Sequence, residues 1–307
     1  MARGRPEPKW WSELSAGYLR SLARRGRRPK TQRNYRFVLL GFGRWLYRAN
    51  VGALGDLNRG HIELWQDDLQ GRVAPGTQKL DATVLRQALK WAANEDLPLS
   101  TPALWLRVIQ PSAPHLKPRP IPVRDLAAIQ LQLDAWYEAG ATLAQLRTRA
   151  LFRLILSSGA RITEALSLVR TSVVDGTALV IQKGGSEHVL VISGKAEAAI
   201  NDYLRARTDS GPALFISHES SRRPGPLGQQ EAQRAWDQLC IDLGITRFTN
   251  HQIRHSCATE LLRRHVDSMV IAKHMGHRGL ASLAGYTEVD LESRREAMVA
   301  LDGRLAG

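Results

Sequence analysis

The sequence predicts two domains: a helical N-terminal bundle, and a mostly helical α+β domain holding a small three-stranded antiparallel sheet. Three observations carry this. The length of 307 residues suits two domains. Gln110-Pro-Ser-Ala-Pro-His-Leu-Lys-Pro-Arg-Pro-Ile-Pro122 has too many prolines for a regular helix and reads as an extended connector. The apolar period is helical before it; after it, the helical period gives way once to short alternating runs separated by Asp-Gly and Gly-Gly turns. The expected domains are therefore 1–110, a linker over 111–123, 124–288, and a tail over 289–307.

Residues 1–30 hold nine Lys/Arg against Glu7 and Glu13, densest at Arg24, Arg25, Arg27, Arg28 and Lys30. Composition alone reads this stretch as either a solvated, partly mobile segment or a phosphate-contacting one. From Thr31 to about Arg107 the pattern is helical. Tyr35, Val38, Leu39, Phe42, Trp45 and Leu46 follow three- and four-residue steps, and Leu80, Val84, Leu85, Ala88, Leu89 and Trp91 repeat them. Trp10, Trp11, Trp45, Trp65, Trp91 and Trp105 are expected mostly in the core of this bundle. The connector adds Lys117 and Arg119, which could lie along a phosphate backbone.

Beyond the connector, helices are expected near 124–138 and 143–157, with Ser158-Gly159 as a stop and a short helix through Ile162 to Leu168. Thr171-Ser-Val-Val, Ala178–Gln182 and His188–Ile192 read as the three strands. Helices resume at about 195–207, 228–243, 251–265 and 267–275. The tail over Val289–Leu301 can form an amphipathic helix.

The chain carries a formal charge of +14 and is 43% hydrophobic, which favours a polyanionic partner and a sizeable core. Its two cysteines, Cys240 and Cys257, suit a reducing cytosol, exclude a four-thiolate zinc site and argue against a disulfide scaffold. No apolar run approaches a membrane span, and the N-terminus lacks signal character, so a cytoplasmic location is expected.

Chemistry concentrates in the second domain. His251 and Arg254 stand three apart on a helix and share a face. His255, four from His251, resembles a zinc-helix spacing, but the metalloprotease version needs Glu after the first histidine and Gln252 is there. Arg161 and Lys183 lie upstream, His277 and Tyr286 downstream. Two arginines, a lysine, two histidines and a tyrosine suit attack on a phosphodiester without metal: a phenol nucleophile, and cations for the charge of the transition state. No phosphate-cradling GxxxxGK[ST] motif is present.

Gly159-Ala-Arg161-Ile-Thr-Glu164, Lys183-Gly-Gly, His251-Gln-Ile-Arg254-His-Ser-Cys-Ala-Thr259, Gly276-His277 and Gly285-Tyr286 resemble the tyrosine recombinase (phage-integrase) family in type and order, over roughly residues 120–290. Residues 10–110 resemble that family's core-binding domain. The resemblance implies that Tyr286 attacks the scissile phosphorus, that Arg161 and Arg254 clamp non-bridging oxygens, and that Lys183 protonates the leaving 5′-oxygen. It gives His251 a part in proton transfer or phosphate orientation, His277 a hydrogen bond to a non-bridging oxygen, and Glu164 the bracing of the cations. Two positions depart from the pattern. Gln182 precedes the lysine where Gly is common, and Cys257, read as core packing, stands where an aromatic is common.

The implied activity is site-specific recombination of a mobile element or replicon, through a 3′-phosphotyrosyl intermediate and a Holliday junction, without cofactor or metal. The implied partners are double-stranded DNA and three further copies of the chain or a paralogous recombinase, with no membrane and no small-molecule substrate. The tail helix would then dock on a neighbour rather than in cis. No separate arm-site domain is expected, which favours a Xer-like enzyme or a mobile-element integrase or resolvase. Two other readings are a type IB topoisomerase-like relaxing enzyme and a non-catalytic DNA-binding relative.

Overall fold

The computed structural model describes residues 6–101, 103–110, 119–182, 184–218 and 225–276. The chain divides into two compact units, Met1–Leu116 and Lys117–Gly307.

The first unit is built on four helices: α1 (Lys9–Arg24), α2 (Pro29–Arg48), α3 (Arg59–Leu69) and α4 (Pro75–Asn94). Pro29 and Pro75 open α2 and α4, where the missing N–H has no helical partner to lose. Their apolar stripes meet in one core around Trp11, Phe42, Trp65 and Leu85. Trp11 donates through Nε1 to the Leu39 carbonyl at 2.8 Å and packs edge-on against Phe42. The basic stretch is only in part a solvated segment: Arg24, Arg25, Arg27, Arg28 and Lys30 are exposed, while Lys9–Arg24 form a helix of the bundle. Trp11, Leu14, Tyr18 and Leu22 lie at helical spacing beneath the charges, and their burial folds α1 into the bundle. The described tryptophans of this unit all contribute to the core, Trp10, Trp91 and Trp105 from its margin.

The second unit surrounds α6 (Leu143–Ser158), which packs against α5 (Val123–Glu138), α8 (Gly194–Ala206), α9 (Gln229–Leu243) and α10 (Asn250–Arg263). A helix covered on all sides should be apolar all round, yet α6 buries Arg147 and Arg149. Each has a partner that compensates the desolvation: Glu231 at 2.6 Å and Asp202 at 2.9 Å. Ile121, just ahead of α5, is buried in this core, and its N–H donates to Ser256 Oγ on α10 at 2.9 Å.

After α6 comes the short α7 (Ile162–Ala165), which stops before the expected Leu168. The antiparallel sheet follows in order β1 (Val173–Val174), β2 (Thr177–Ile181), β3 (Glu187–Val191). Asp175 and Gly176 both take positive φ, 46° and 67°, as a two-residue turn of the primed type requires. Ala178 pairs with Leu190 and Val180 with His188. Ala178, Val180 and Leu190 point into the core, while Leu179, Ile181, Val189 and Val191 stay exposed on the other face. The last described helix is α11 (Ser268–His274), capped by the Asp267 carboxylate. No described helix is long and apolar enough to cross a membrane.

Candidate active site

The site starts at the end of α6. Gly159 takes the left-handed conformation at φ 60° and ends the helix. Two residues on, Arg161 opens α7. Its main-chain N–H donates to Glu164 Oε2 at 2.8 Å and its Nη1 to Glu164 Oε1 at 2.7 Å. One buried carboxylate thus fixes both ends of the arginine, while the guanidinium side keeps partial exposure.

α10 delivers the second cation. Thr249 and Gln252 form a capping box, Thr249 N–H to Gln252 Oε1 at 3.0 Å and Gln252 N–H to Thr249 Oγ1 at 3.4 Å. The residue that spoils a zinc signature therefore starts the helix. Arg254, one turn in, is 2% exposed. Its Nη1 donates to the Gly159 carbonyl and its Nη2 to the Met275 carbonyl, the latter at 2.5 Å. One guanidinium ties α10 to the end of α6 and the end of α11.

His251 sits at the head of α10 with its ring edge-on to His255, centroids 4.4 Å apart. Partial shielding of the ring, then the positive charges of Arg254 and Arg161, hold its pKa below the ordinary histidine value. Both guanidiniums therefore act on the same imidazole. A neutral ring beside two fixed cations can accept a proton, and the cations can take up an oxyanion's charge.

The sheet closes the site from another side. His188 on β3 lies within the field of Glu164 and Arg254, against the backbone of His274; burial is the largest influence and lowers its pKa. Gln182, at the end of β2, is 9% exposed. Both border Gly276, at φ 62° after α11.

Of the residues singled out from sequence, Arg161, Glu164, His251 and Arg254 are brought together. Lys183, His277, Tyr286 and Lys117 lie outside the described residues, as does the tail. The immediate neighbours of two of them, Gln182 and Gly276, are at the site. Arg24, Arg25, Arg27, Arg28 and Lys30 are exposed where α1 turns into α2, and Arg119 is exposed in the second unit. Cys257 is buried beside Ala258, Ile271 and Met275. Sequence reasoning missed His188, which looked like an ordinary strand residue, and noted Gln182 only as a departure.

The chain is similar to known proteins over most of its length. Residues 120–293 match the model of the phage integrase family. Tyrosine recombinase XerC of Rhodospirillum centenum is 32% identical over 280 residues, 87% of this chain and 80% of that protein. Tyrosine recombinase XerD of Corynebacterium glutamicum is 29% identical over 295 residues, 92% of this chain and 95% of that protein. Among solved structures, the XerH site-specific recombinase bound to a palindromic difH substrate shares the fold. Its TM-score is 0.72 at 20% identity, over 91% of this chain and 82% of that one. A lambda integrase dimer bound to a COC′ core site gives 0.69 at 18% identity, over 88% and 95%. The chain therefore belongs to the phage integrase family and is a tyrosine-type site-specific recombinase.

Proposed function

We propose that this recombinase cuts DNA with Tyr286 and rejoins it to a second strand with the same pocket. The tyrosine oxygen attacks the scissile phosphorus, the 5′-oxygen leaves with a proton from Lys183, and a 3′-phosphotyrosyl bond holds the end. Attack by a new 5′-hydroxyl reverses these steps, so no nucleotide hydrolysis is required. A free tyrosine titrates near pH ~10; neighbouring cations favour its phenolate. Phosphoryl transfer rests on positioning and charge stabilisation, which two arginine forks can supply. Arg161 and Arg254 hold the non-bridging oxygens with His277, His251 assists the proton at the phenol, and Glu164 braces Arg161.

The observation that carries this reading is the hold of Arg254 on the Gly159 carbonyl, two residues before Arg161, whose own guanidinium is tied to Glu164 at 2.7 Å. Double-stranded DNA is the partner, and the exposed Arg24–Lys30 cluster contacts its phosphates, which makes binding fall steeply with salt. Four protomers pair two sites and exchange strands in two rounds through a four-way junction, the tail helix of each docking on its neighbour. The near full-length likeness to XerC and XerD supports a Xer-like role in resolution or in movement of an element.

The test uses a nicked suicide duplex bearing a site selected by binding from a random pool. The wild-type chain should form a covalent adduct that resists denaturant and persists in EDTA. Tyr286→Phe should keep its affinity and form no adduct. Adduct formation by Tyr286→Phe at the wild-type level would move the nucleophile elsewhere, and a loss in EDTA restored by Mg²⁺ would refute a cation-only mechanism.

A further inference from the structure

We propose that Gln182 and His188 are positioning residues of the reaction, a polar clasp on Gly276 that fixes the lysine-bearing turn against the chain entering His277. The proposal rests on the reading of Lys183 as the general acid.

Gln182 has both main-chain groups engaged in the turn. Its N–H donates to the Ser186 carbonyl at 2.8 Å, and its carbonyl accepts from Gly185 N–H at 3.0 Å. The side chain faces the other way. It is buried, and its Nε2 has no hydrogen-bond partner among the described residues; the same holds for Nε2 of His188. Both nitrogens meet at Gly276. A Cβ built on that glycine would stand 2.0 Å from Gln182 Nε2 and 3.0 Å from His188 Nε2. Only a residue without a side chain lets the hairpin approach so closely, and φ of 62° calls for glycine independently. The contact is backbone against two polar tips, with no methylene between.

Buried polar groups that lack partners are costly and rare, and they gather where function uses them. Apolar residues here would serve packing better. The position explains the choice. Gln182 directly precedes Lys183, and Gly276 directly precedes His277. Met275, on the other side of Gly276, gives its carbonyl to Arg254 at 2.5 Å. The clasp therefore links the hairpin, through two residues of backbone, to the guanidinium at the centre of the site. Burial lowers the His188 pKa, against the opposing influence of the His274 backbone. Two groups that must reach one phosphate from different elements are thus set in register by a third contact.

The experiment compares single-turnover cleavage of two nicked duplexes. One is ordinary; in the other sulfur replaces the bridging 5′-oxygen. On the ordinary duplex the P–O bond breaks as the tyrosine oxygen bonds to phosphorus, and the 5′-oxygen must gain a proton. On the sulfur duplex the P–S bond breaks and the thiolate leaves with its electron pair, needing no proton. Gln182→Ala and His188→Ala should cut the ordinary duplex about 10- to 100-fold more slowly, the scale of a misplaced reacting group. On the sulfur duplex both should return to within about threefold of wild type, as should the Lys183→Ala control, since only general-acid help has been lost. His188→Asn, closer in size, is carried through if the alanine variant does not fold. Equal losses on both duplexes mean a distorted pocket and overturn the clasp, as does wild-type speed on the ordinary one. A wild-type chain that makes no adduct on either duplex removes the Tyr286 reading, and is recognised before any variant is measured.

Discussion

Replacing Glu164 by Gln removes one charge and keeps the shape of the side chain. The carboxylate accepts from Arg161 N–H at 2.8 Å and from Arg161 Nη1 at 2.7 Å. An amide offers one oxygen for those two donors, so one of them meets an N–H₂ group instead. The size of the effect lies between two limits. An exposed ion pair contributes up to about 1 kcal/mol; breaking a fully buried one costs about 3–5 kcal/mol. Glu164 is 4% exposed and Arg161 37%, so water can reach the arginine but not the acid. That places the loss at about 2–3 kcal/mol, or roughly 4–12 °C in the melting temperature for a unit of this size. The cleavage rate should fall about 10- to 100-fold, because a guanidinium meant for a non-bridging oxygen is no longer held. Thermal unfolding and single-turnover cleavage read the two effects. Arg161→Ala sharpens the test. Alone, it strands a buried carboxylate; adding Glu164→Gln should recover stability, so the double variant should melt above Arg161→Ala. A Glu164→Gln chain that melts within about 1 °C of wild type and cuts at full rate would refute the bracing role.

Gly159→Ala should cost about 2–5 kcal/mol, from a left-handed backbone for an L residue and overpacking of a buried neighbour; its Cβ would stand 2.3 Å from Met275 Sδ. A melting temperature unchanged by this variant would mean that Met275 finds room elsewhere. His188, His218 and His251 all have lowered pKa values, with burial as the first cause. The unfolded chain then binds more protons than the folded one just below about pH 6.5, so stability should drop as pH falls from about 6.5 and stay level above it. Melting curves from pH 5 to 8 check this, and His251→Asn should make the slope shallower. The Cys257 thiol is pushed up to about 12 by burial, against the opposing pull of Arg254. At pH 8 the native chain should leave Cys257 unalkylated by iodoacetamide, and denaturant should expose it; prompt native labelling would contradict its burial.

Much of the second unit could be read from local pattern. Asp175-Gly176 marks the first hairpin and Ser158-Gly159 marks the end of α6, because turns and helix stops are written in adjacent residues. Arg161, Glu164, His251 and Arg254 were legible as a set because their motifs recur in order across a family. α1 was harder to read. Basic residues crowd its C-terminal end and the turn beyond, and the Trp11, Leu14, Tyr18, Leu22 stripe matters only once α2 and α4 supply a surface for it. The clasp was not legible at all. That Gln182 and His188 meet Gly276 is a fact of packing between a sheet and a helix end, and nothing in either local segment announces it.

Arg254 holds two backbone carbonyls from distant parts of the chain, Gly159 and Met275, in addition to any part in chemistry. A descendant that lost its nucleophile and kept only DNA binding would still need this arginine to stay folded. Its presence in a diverged sequence is therefore a sign of an intact scaffold. Living activity has to be judged from residues with no architectural duty.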